Sequence, residues 1–323
     1  MNFGKWSALI VLAVALSAAT LIGSDAAWLG TSTLIAIYSL LALSVGVTYG
    51  QAGILSVAQG AFASIGAYVT GILTTRYGLS PFLTLPASVL LPALIALPLA
   101  RLVSPLSPLV LAIATLMFAT IIEILVRGGG ELTGGYLGLS GIPPLFDAQT
   151  PVTFNLIAWL AVTVVVFLYG NLMNSAWGRA INTVRHDPTR AVADGMNVSH
   201  LRSLVFALGA GMAGLAGWLY AHQLSFISPD LFGIPVAINA ILMAVVGGAG
   251  AVLGPVAGAV VLSFFYEFLP GQESRGMFYG AALILTLLLA PNGLLGFARS
   301  RRGRVHQRET EVSPAVTPEK AFS

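Results

Sequence analysis

A reaction would have to begin at serine, histidine or carboxylate side chains, and this sequence gives most of them no partner at a workable spacing. Gly138, Leu139, Ser140 and Gly141 have the GxSG pattern of an intramembrane serine nucleophile. That chemistry needs a helix that carries the serine inward and a histidine base. Here Pro143 and Pro144 follow at once, polar residues run on to Thr153, and only His222 stands near the end of an apolar segment. Gly209, Gly211 and Gly214 match GxGxxG by letter. A dinucleotide fingerprint sits between a strand and a helix, within a βαβ unit. These glycines lie inside an apolar run, where the spacing of Ala213 and Gly217 suits close helix packing. His186, His200, His222 and His306 lack metal-ligand spacing and there is no cysteine, so neither a metal site nor a disulfide is expected. No GxxxxGK[ST] run exists, so the chain has no P-loop of that form and any ATP hydrolysis must come from another chain.

Two acids stand inside or at the ends of apolar segments, Glu123 and Glu267. A charge at a bilayer centre costs about 2.5–3.5 kcal/mol on insertion scales. Both fall near the ends of their segments, and Arg127 stands one helical turn after Glu123, at pairing distance. An ion-coupled carrier would need carboxylates nearer the midplane. The most informative polar segment is 174–203. Asp187 can cap a helix start, Pro188 suits the first helical position, and Gly195 suits a left-handed stop. A two-turn helix is marginal alone in water, so one delimited in this way reads as a docking element for a partner's groove. An ordinary interhelical connection is the plainer alternative.

The elements that must carry these residues are membrane helices. The chain is 57% hydrophobic and 8% charged, with mean hydropathy +0.89. Soluble domains carry roughly 25% charged residues, whereas a lipid-facing surface needs none. The net charge of +3 does not signal nucleic acid, because the basic residues lie between apolar blocks and in the tail. Spanning helices of about 20 residues are expected at 7–23, 29–48, 52–75, 82–100, 108–126, 152–172, 204–222 and 277–291. The first of these follows Lys5 like a signal peptide, and is read as an uncleaved span because further spans follow at once.

The stretch 235–268 is too long for one ordinary span and is broken at Gly247, Gly248, Gly250, Gly254 and Pro255. Arginines 179, 185, 190 and 202 form one basic cluster, and arginines 299, 301, 302, 304 and 308 another. Both clusters are cytoplasmic only if 235–268 crosses twice. The expected fold is therefore an all-α polytopic bundle of about ten crossings with both termini in the cytoplasm. Residues 1–296 form the membrane domain, 174–203 its cytoplasmic loop and 127–151 its outer loop. Residues 297–323 form a basic, then disordered, cytoplasmic tail in contact with anionic lipid.

The two halves share a pattern. Gly50, Gly53 and Gly60 punctuate one apolar segment, and Gly247, Gly248, Gly250 and Gly254 punctuate the other. Paired broken helices point to a midplane pathway between structural repeats, while close packing accounts for glycines equally well. Polar candidates for lining such a pathway are Gln51, Ser56, Gln59, Thr115 and Asn239.

Several stretches, in order, resemble one family. They are GQAGILSVAQGAFASIGAYV (50–69), the TGG-x-x-GLSGIP loop (133–143), WGRAINTVRHDPTRAVADGMNV (177–198), AGLAGWLYAHQLSFISPDLF (213–232), AVVGGAGAVLGPVAGA (244–259) and LLLAPNGLLG (287–296). Together they resemble the permease subunits of bacterial branched-chain amino acid importers of the ATP-binding-cassette class, the LivM type more than its LivH partner. The resemblance implies a multi-pass protein of the inner membrane that translocates branched-chain or related amino acids by alternating access. It implies a LivH-type second permease, two ATPase subunits that hold ATP and magnesium, and a periplasmic solute-binding protein. This chain itself would be no enzyme and bind no cofactor. The family's ATPase-contacting loop falls here on Gly178, Arg179, Ala180, Arg185, Asp187, Ala191 and Gly195, with Pro188 among them. Permeases for urea or amides, sugars or nucleosides share much of this architecture and form the alternative; an ion-coupled secondary transporter stands further off.

Overall fold

The computed structural model describes residues 26–146, 150–268 and 293. The helices expected at 7–23 and 277–291, the side chain of Glu267 and the tail lie outside the described residues. Helix α1 (Ala26–Val45) runs directly into a π-helical stretch, Gly46–Gln51. After a non-helical segment come α2 (Gln59–Thr75), α3 (Pro81–Val103) and α4 (Pro108–Gly128). The short strand β1 (Leu139–Ser140) precedes α5 (Pro151–Asn174), α6 (Ala176–His186), α7 (Pro188–Ala193) and α8 (Val198–Leu224). Strand β2 (Phe226–Ile227) and a 3-10 turn, Pro229–Phe232, lead into α9 (Ile234–Gly247) and α10 (Gly254–Phe268).

Among the described residues, six helical stretches are long and apolar enough to cross a membrane: Trp28–Gln51, Pro81–Val103, Pro108–Gly128, Pro151–Asn174, Val198–Leu224 and Pro229–Gly247. The start of the helix expected over 52–75 is corrected: it begins only at Gln59 and has 17 residues, at the short end of the range of about 17–25 for a crossing. The apolar stretch 235–268 is two antiparallel helices in mutual contact, α9 of 14 residues and α10 beginning at Gly254.

Prolines start several of these helices. Pro81, Pro108, Pro151 and Pro188 each occupy the first turn, where the missing donor costs nothing. Helix α8 sits at the centre and makes its most extensive contacts with α3, α2 and α1. Its glycines set those distances. A methyl group on Gly214 would overlap the Ser88 carbonyl of α3, and one on Gly217 would overlap the Ala63 carbonyl of α2. Without a hydrophobic drive between helices in lipid, such close backbone approach supplies the packing. Leu90, Leu94, Leu109, Ile113 and Ile121 on α3 and α4 stay exposed, as a face turned to lipid or to a membrane partner would.

The loop between α4 and α5 is tightly folded. Gly130, Gly134, Gly135, Gly138 and Gly141 all take positive φ, which other residues rarely adopt. Thr133 Oγ1 donates to the Val126 carbonyl at 2.6 Å, and β1 pairs antiparallel with β2, Leu139 opposite Ile227. Ser140 lies in that ladder opposite Phe226, while His222 Nδ1 is 2.8 Å from the Pro143 carbonyl oxygen.

Candidate functional site

The two interrupted segments meet. In the first, the chain leaves the π-helical stretch and turns through Gly53, at φ +70°. Interruption frees backbone donors that a membrane interior cannot leave unpaired. Gly53 N–H donates to Tyr49 O at 3.1 Å, and Ile54 N–H to Thr48 O at 3.0 Å. Val57 N–H donates to Thr115 Oγ1 at 3.1 Å, and Ala58 N–H to Ser56 Oγ at 3.1 Å. In the second segment, α9 ends at Gly248 (φ +106°), and the turn closes through Ala251 N–H to Gly248 O and Gly254 N–H to Ala251 O.

A methyl group on Gly50 would overlap the Ala249 carbonyl, and one on Gly46 would meet Pro255 Cγ at 2.5 Å. Gln51 Nε2 crosses the seam, donating to Gly250 O at 3.2 Å and to the Tyr169 hydroxyl at 2.9 Å. Tyr169, 1% exposed on α5, turns its own hydroxyl toward Gly46 O at 3.5 Å. Gly293, far along the sequence, packs against Gly248. Gly247 and Gly254 let the backbones of α9 and α10 close on one another. Gly60 lies elsewhere: it brings α2 against the carbonyl of Phe232, before α9.

The loop 174–203 reaches this seam through Arg185, whose Nη1 donates to the Gly50 carbonyl. Arg185 stands in the last turn of α6, an amphipathic helix that sequence reasoning missed. Its signal was present in Gly178, Ile181 and Val184, buried at i, i+3 and i+6 between polar neighbours. Gly178 permits the sharp α5–α6 corner, since a methyl group there would overlap the Met173 carbonyl. Arg179 is exposed and Ala180 half-buried.

Helix α7 forms where Asp187, Pro188 and Gly195 delimit it. Asp187 Oδ1 accepts from Arg190 N–H at 2.9 Å, and Gly195 takes φ +78°. Ala191 is fully buried, which anchors one side of α7, while Val192 is 63% exposed on the other. An exposed valine flanked by Arg190 and Asp194 is a surface that a partner groove can cover.

Among the described residues, the five polar pathway candidates make no side-chain hydrogen bond to one another. Gln51 is at the seam. Ser56 and Thr115 serve the turn before α2, with Thr115 fully buried. Gln59 is fully buried, accepts from Ser44 Oγ at 3.3 Å and reaches Thr48 Oγ1 at 3.4 Å. Asn239 is half-buried on α9 with no side-chain hydrogen bond among the described residues. Sequence reasoning also missed Tyr169, whose signal was a phenol in an apolar span that had to find a partner.

A family model described as "Branched-chain amino acid transport system / permease component" matches residues 27–287. The LivM permease of the high-affinity branched-chain amino acid transport system of Salmonella typhimurium is 29% identical over 324 residues, covering 90% of this chain and 74% of the relative. A probable branched-chain amino acid transport permease, LivH, of Methanocaldococcus jannaschii is 25% identical over 278 residues, covering 80% and 88%. The LsrC permease of an Escherichia coli autoinducer 2 import system is 30% identical over 207 residues, covering 60% of each. No solved structure matches the chain.

Proposed function

Because the chain belongs to the family of permease components of branched-chain amino acid transport systems, we propose that it is the LivM-type permease subunit of an ATP-driven importer of branched-chain amino acids. It is a multi-pass helical membrane protein, and the proposed location is a bacterial inner membrane, with about ten crossings and both termini in the cytoplasm. Its proposed partners are a LivH-type permease, two ATPase subunits that bind ATP and magnesium, and a periplasmic binding protein that docks on the outer loop 127–151. Nucleotide chemistry stays on the ATPases.

The observation that carries the mechanism is the bond from Arg185 to the Gly50 carbonyl, at the place where Gly50 abuts Ala249. In the proposed cycle, ATP draws the ATPase pair together and pushes on α7, with Val192, Arg190 and the Asp187 cap at the contact. Helices α6 and α7 are joined by a single residue, Asp187, so movement of one carries the other. Arg185 then pulls on the first interrupted segment, and Gln51 passes the movement to the second through Gly250. Half-helices that meet at a breakable seam are where alternating access can open and close a path. Gln51, Ser56, Gln59, Thr115 and Asn239 are the proposed polar lining, reached as the seam opens.

The test is charge reversal, Arg185→Glu with Asp187→Arg, in the assembled complex in proteoliposomes with L-leucine as the solute. ATP hydrolysis is expected to persist while leucine uptake is lost. Uptake at the unaltered rate would remove the coupling role from this loop.

A further inference from the structure

A second cluster of charge stands away from the seam, where α4 ends beside the 3-10 turn before α9. Arg127 donates from Nε and Nη2 to Glu123 Oε1 at 3.1 and 2.7 Å, and from Nη2 to Asp230 Oδ1 at 2.6 Å. Its guanidinium also lies over the Tyr136 ring, 5.3 Å from the centroid. One cation between two carboxylates leaves a negative charge unbalanced. Part of the cluster's hydrogen-bonding capacity is not used within the protein. Among the described residues, Arg127 Nη1, Glu123 Oε2 and Asp230 Oδ2 have no partner. Among the described residues the Tyr68 hydroxyl, on a residue 3% exposed, is buried without a partner; Tyr68 lies on α2 between Gly60, which packs against Phe232, and Gly71, which packs against Ile227, and so beside the turn that carries Asp230. A buried hydroxyl left unpaired is costly unless something completes it.

The unused groups sort by sign. Arg127 Nη1 and the Tyr68 O–H are donors suited to a carboxylate, and arginine is the side chain best shaped to grip one. Glu123 Oε2 and Asp230 Oδ2 are acceptors suited to an ammonium group. Donors and acceptors in one neighbourhood match a group that carries an ammonium and a carboxylate on the same carbon. Glu123 also lines a narrow apolar crevice with Val57, Ala61, Ala119, Ile234 and Ala237. The crevice is barely wider than a water molecule in this conformation, so the charged cluster, rather than the crevice, selects the ligand. Asp230 is 70% exposed, which leaves the cluster open to approach.

The geometry points to Arg127, Glu123, Asp230 and Tyr68 as a subsite of this permease for the zwitterionic head group of an α-amino acid, with the carboxylate on Arg127 and Tyr68 and the ammonium on Glu123 and Asp230. The inference rests on the transport reading above and names where the solute is first held by the permease itself. A site of this kind reads the head group and leaves the identity of the side chain to other contacts.

The experiment uses the whole complex in lipid nanodiscs without the binding protein, and measures equilibrium binding of tritiated L-leucine. Unlabelled leucine should compete, while leucinamide and N-acetylleucine, each lacking one of the two charges, should compete about tenfold less well or worse. Arg127→Gln and Glu123→Gln should each weaken binding about tenfold or more. Tyr68→Phe, which removes only the hydroxyl, should weaken it several-fold with complex yield unchanged. Binding in Arg127→Gln and Tyr68→Phe within twofold of the unaltered complex overturns the subsite. So does leucinamide competing as well as leucine, a Tyr68→Phe effect on yield without one on affinity, or no binding by a complex that transports leucine with its binding protein. Failure of the unaltered, fully assembled complex to transport leucine would instead remove the transport reading, and the subsite with it.

Discussion

Gly50 and Ala249, far apart in the sequence, touch backbone to backbone. There is no room for a methyl group on Gly50 because the Ala249 carbonyl occupies its place. Overpacking of this kind costs about 1–3 kcal/mol. Gly50→Ala should therefore force the seam apart and cut leucine uptake by roughly tenfold or more in the assembled complex. Gly250 is the built-in control. It stands on the same seam, yet a methyl group there meets nothing within 4 Å and its φ is not positive. Gly250→Ala should transport at close to the unaltered rate. Equal uptake by both variants would show that the seam does not need its tight approach.

Gln51 and Tyr169 should behave as a coupled pair. The amide donates to the phenol at 2.9 Å and to Gly250 O at 3.2 Å, and the phenol is buried. Tyr169→Phe and Gln51→Ala each remove the same bond, so the double variant should be less impaired than the sum of the two. A coupling of about 0.5–1.5 kcal/mol in the thermal stability of the purified complex is expected. Strict additivity would mean that the bond contributes nothing.

What could be read from the sequence followed the range of the interaction. Asp187, Pro188 and Gly195 act on their own helix within one or two turns, so their residue types were enough to place α7. Apolar length placed α3, α4, α5 and α8 to within a few residues, apart from the start of α8. The start of α2 was misplaced because Ala52, Ile54, Leu55 and Val57 are as apolar as a helix requires. Their backbone is held out of helical form by distant partners such as Thr115, whose hydroxyl takes the Val57 N–H. The π-helical stretch at Gly46–Gln51 has no periodic signature that composition could carry. The seam was hidden for the same reason: Gln51 and Gly250 are 199 residues apart, and nothing local in either segment announces the other. Shared glycine punctuation hinted that the segments correspond, though not that they touch.

The cap on α7 gives a prediction that separates charge from geometry. Asp187 Oδ1 accepts the Arg190 N–H at 2.9 Å. Replacing an N-cap aspartate by alanine costs about 1 kcal/mol of helix stability, whereas asparagine caps about equally well. A six-residue helix has little stability in reserve. Asp187→Ala should weaken association with the ATPase subunits, measured by co-purification, and lower uptake, while Asp187→Asn should retain most of both. If Asp187→Asn fails as badly as Asp187→Ala, the charge itself meets the partner and the cap is incidental.

The centre of the bundle depends on glycine at Gly214 and Gly217 for reasons of distance alone. Neither residue has positive φ, so alanine would be acceptable to the backbone at both. The obstacle is the neighbouring helix: Ser88 O of α3 beside Gly214, and Ala63 O of α2 beside Gly217. Gly214→Ala and Gly217→Ala should each destabilise the solubilised protein by about 1–3 kcal/mol through helix displacement. Gly30, which has nothing within 4 Å, should accept alanine without loss. The check is thermal unfolding in detergent, read by fluorescence of the five tryptophans. Trp218 reports from the affected interface, because its Nε1–H is held by Pro81 O at 3.2 Å and Thr84 Oγ1 at 3.1 Å across α3 and α8. A lowered midpoint for Gly214→Ala and Gly217→Ala, with Gly30→Ala unchanged, is the expected pattern. Unchanged midpoints in all three would mean that α8 does not need close approach to α2 and α3.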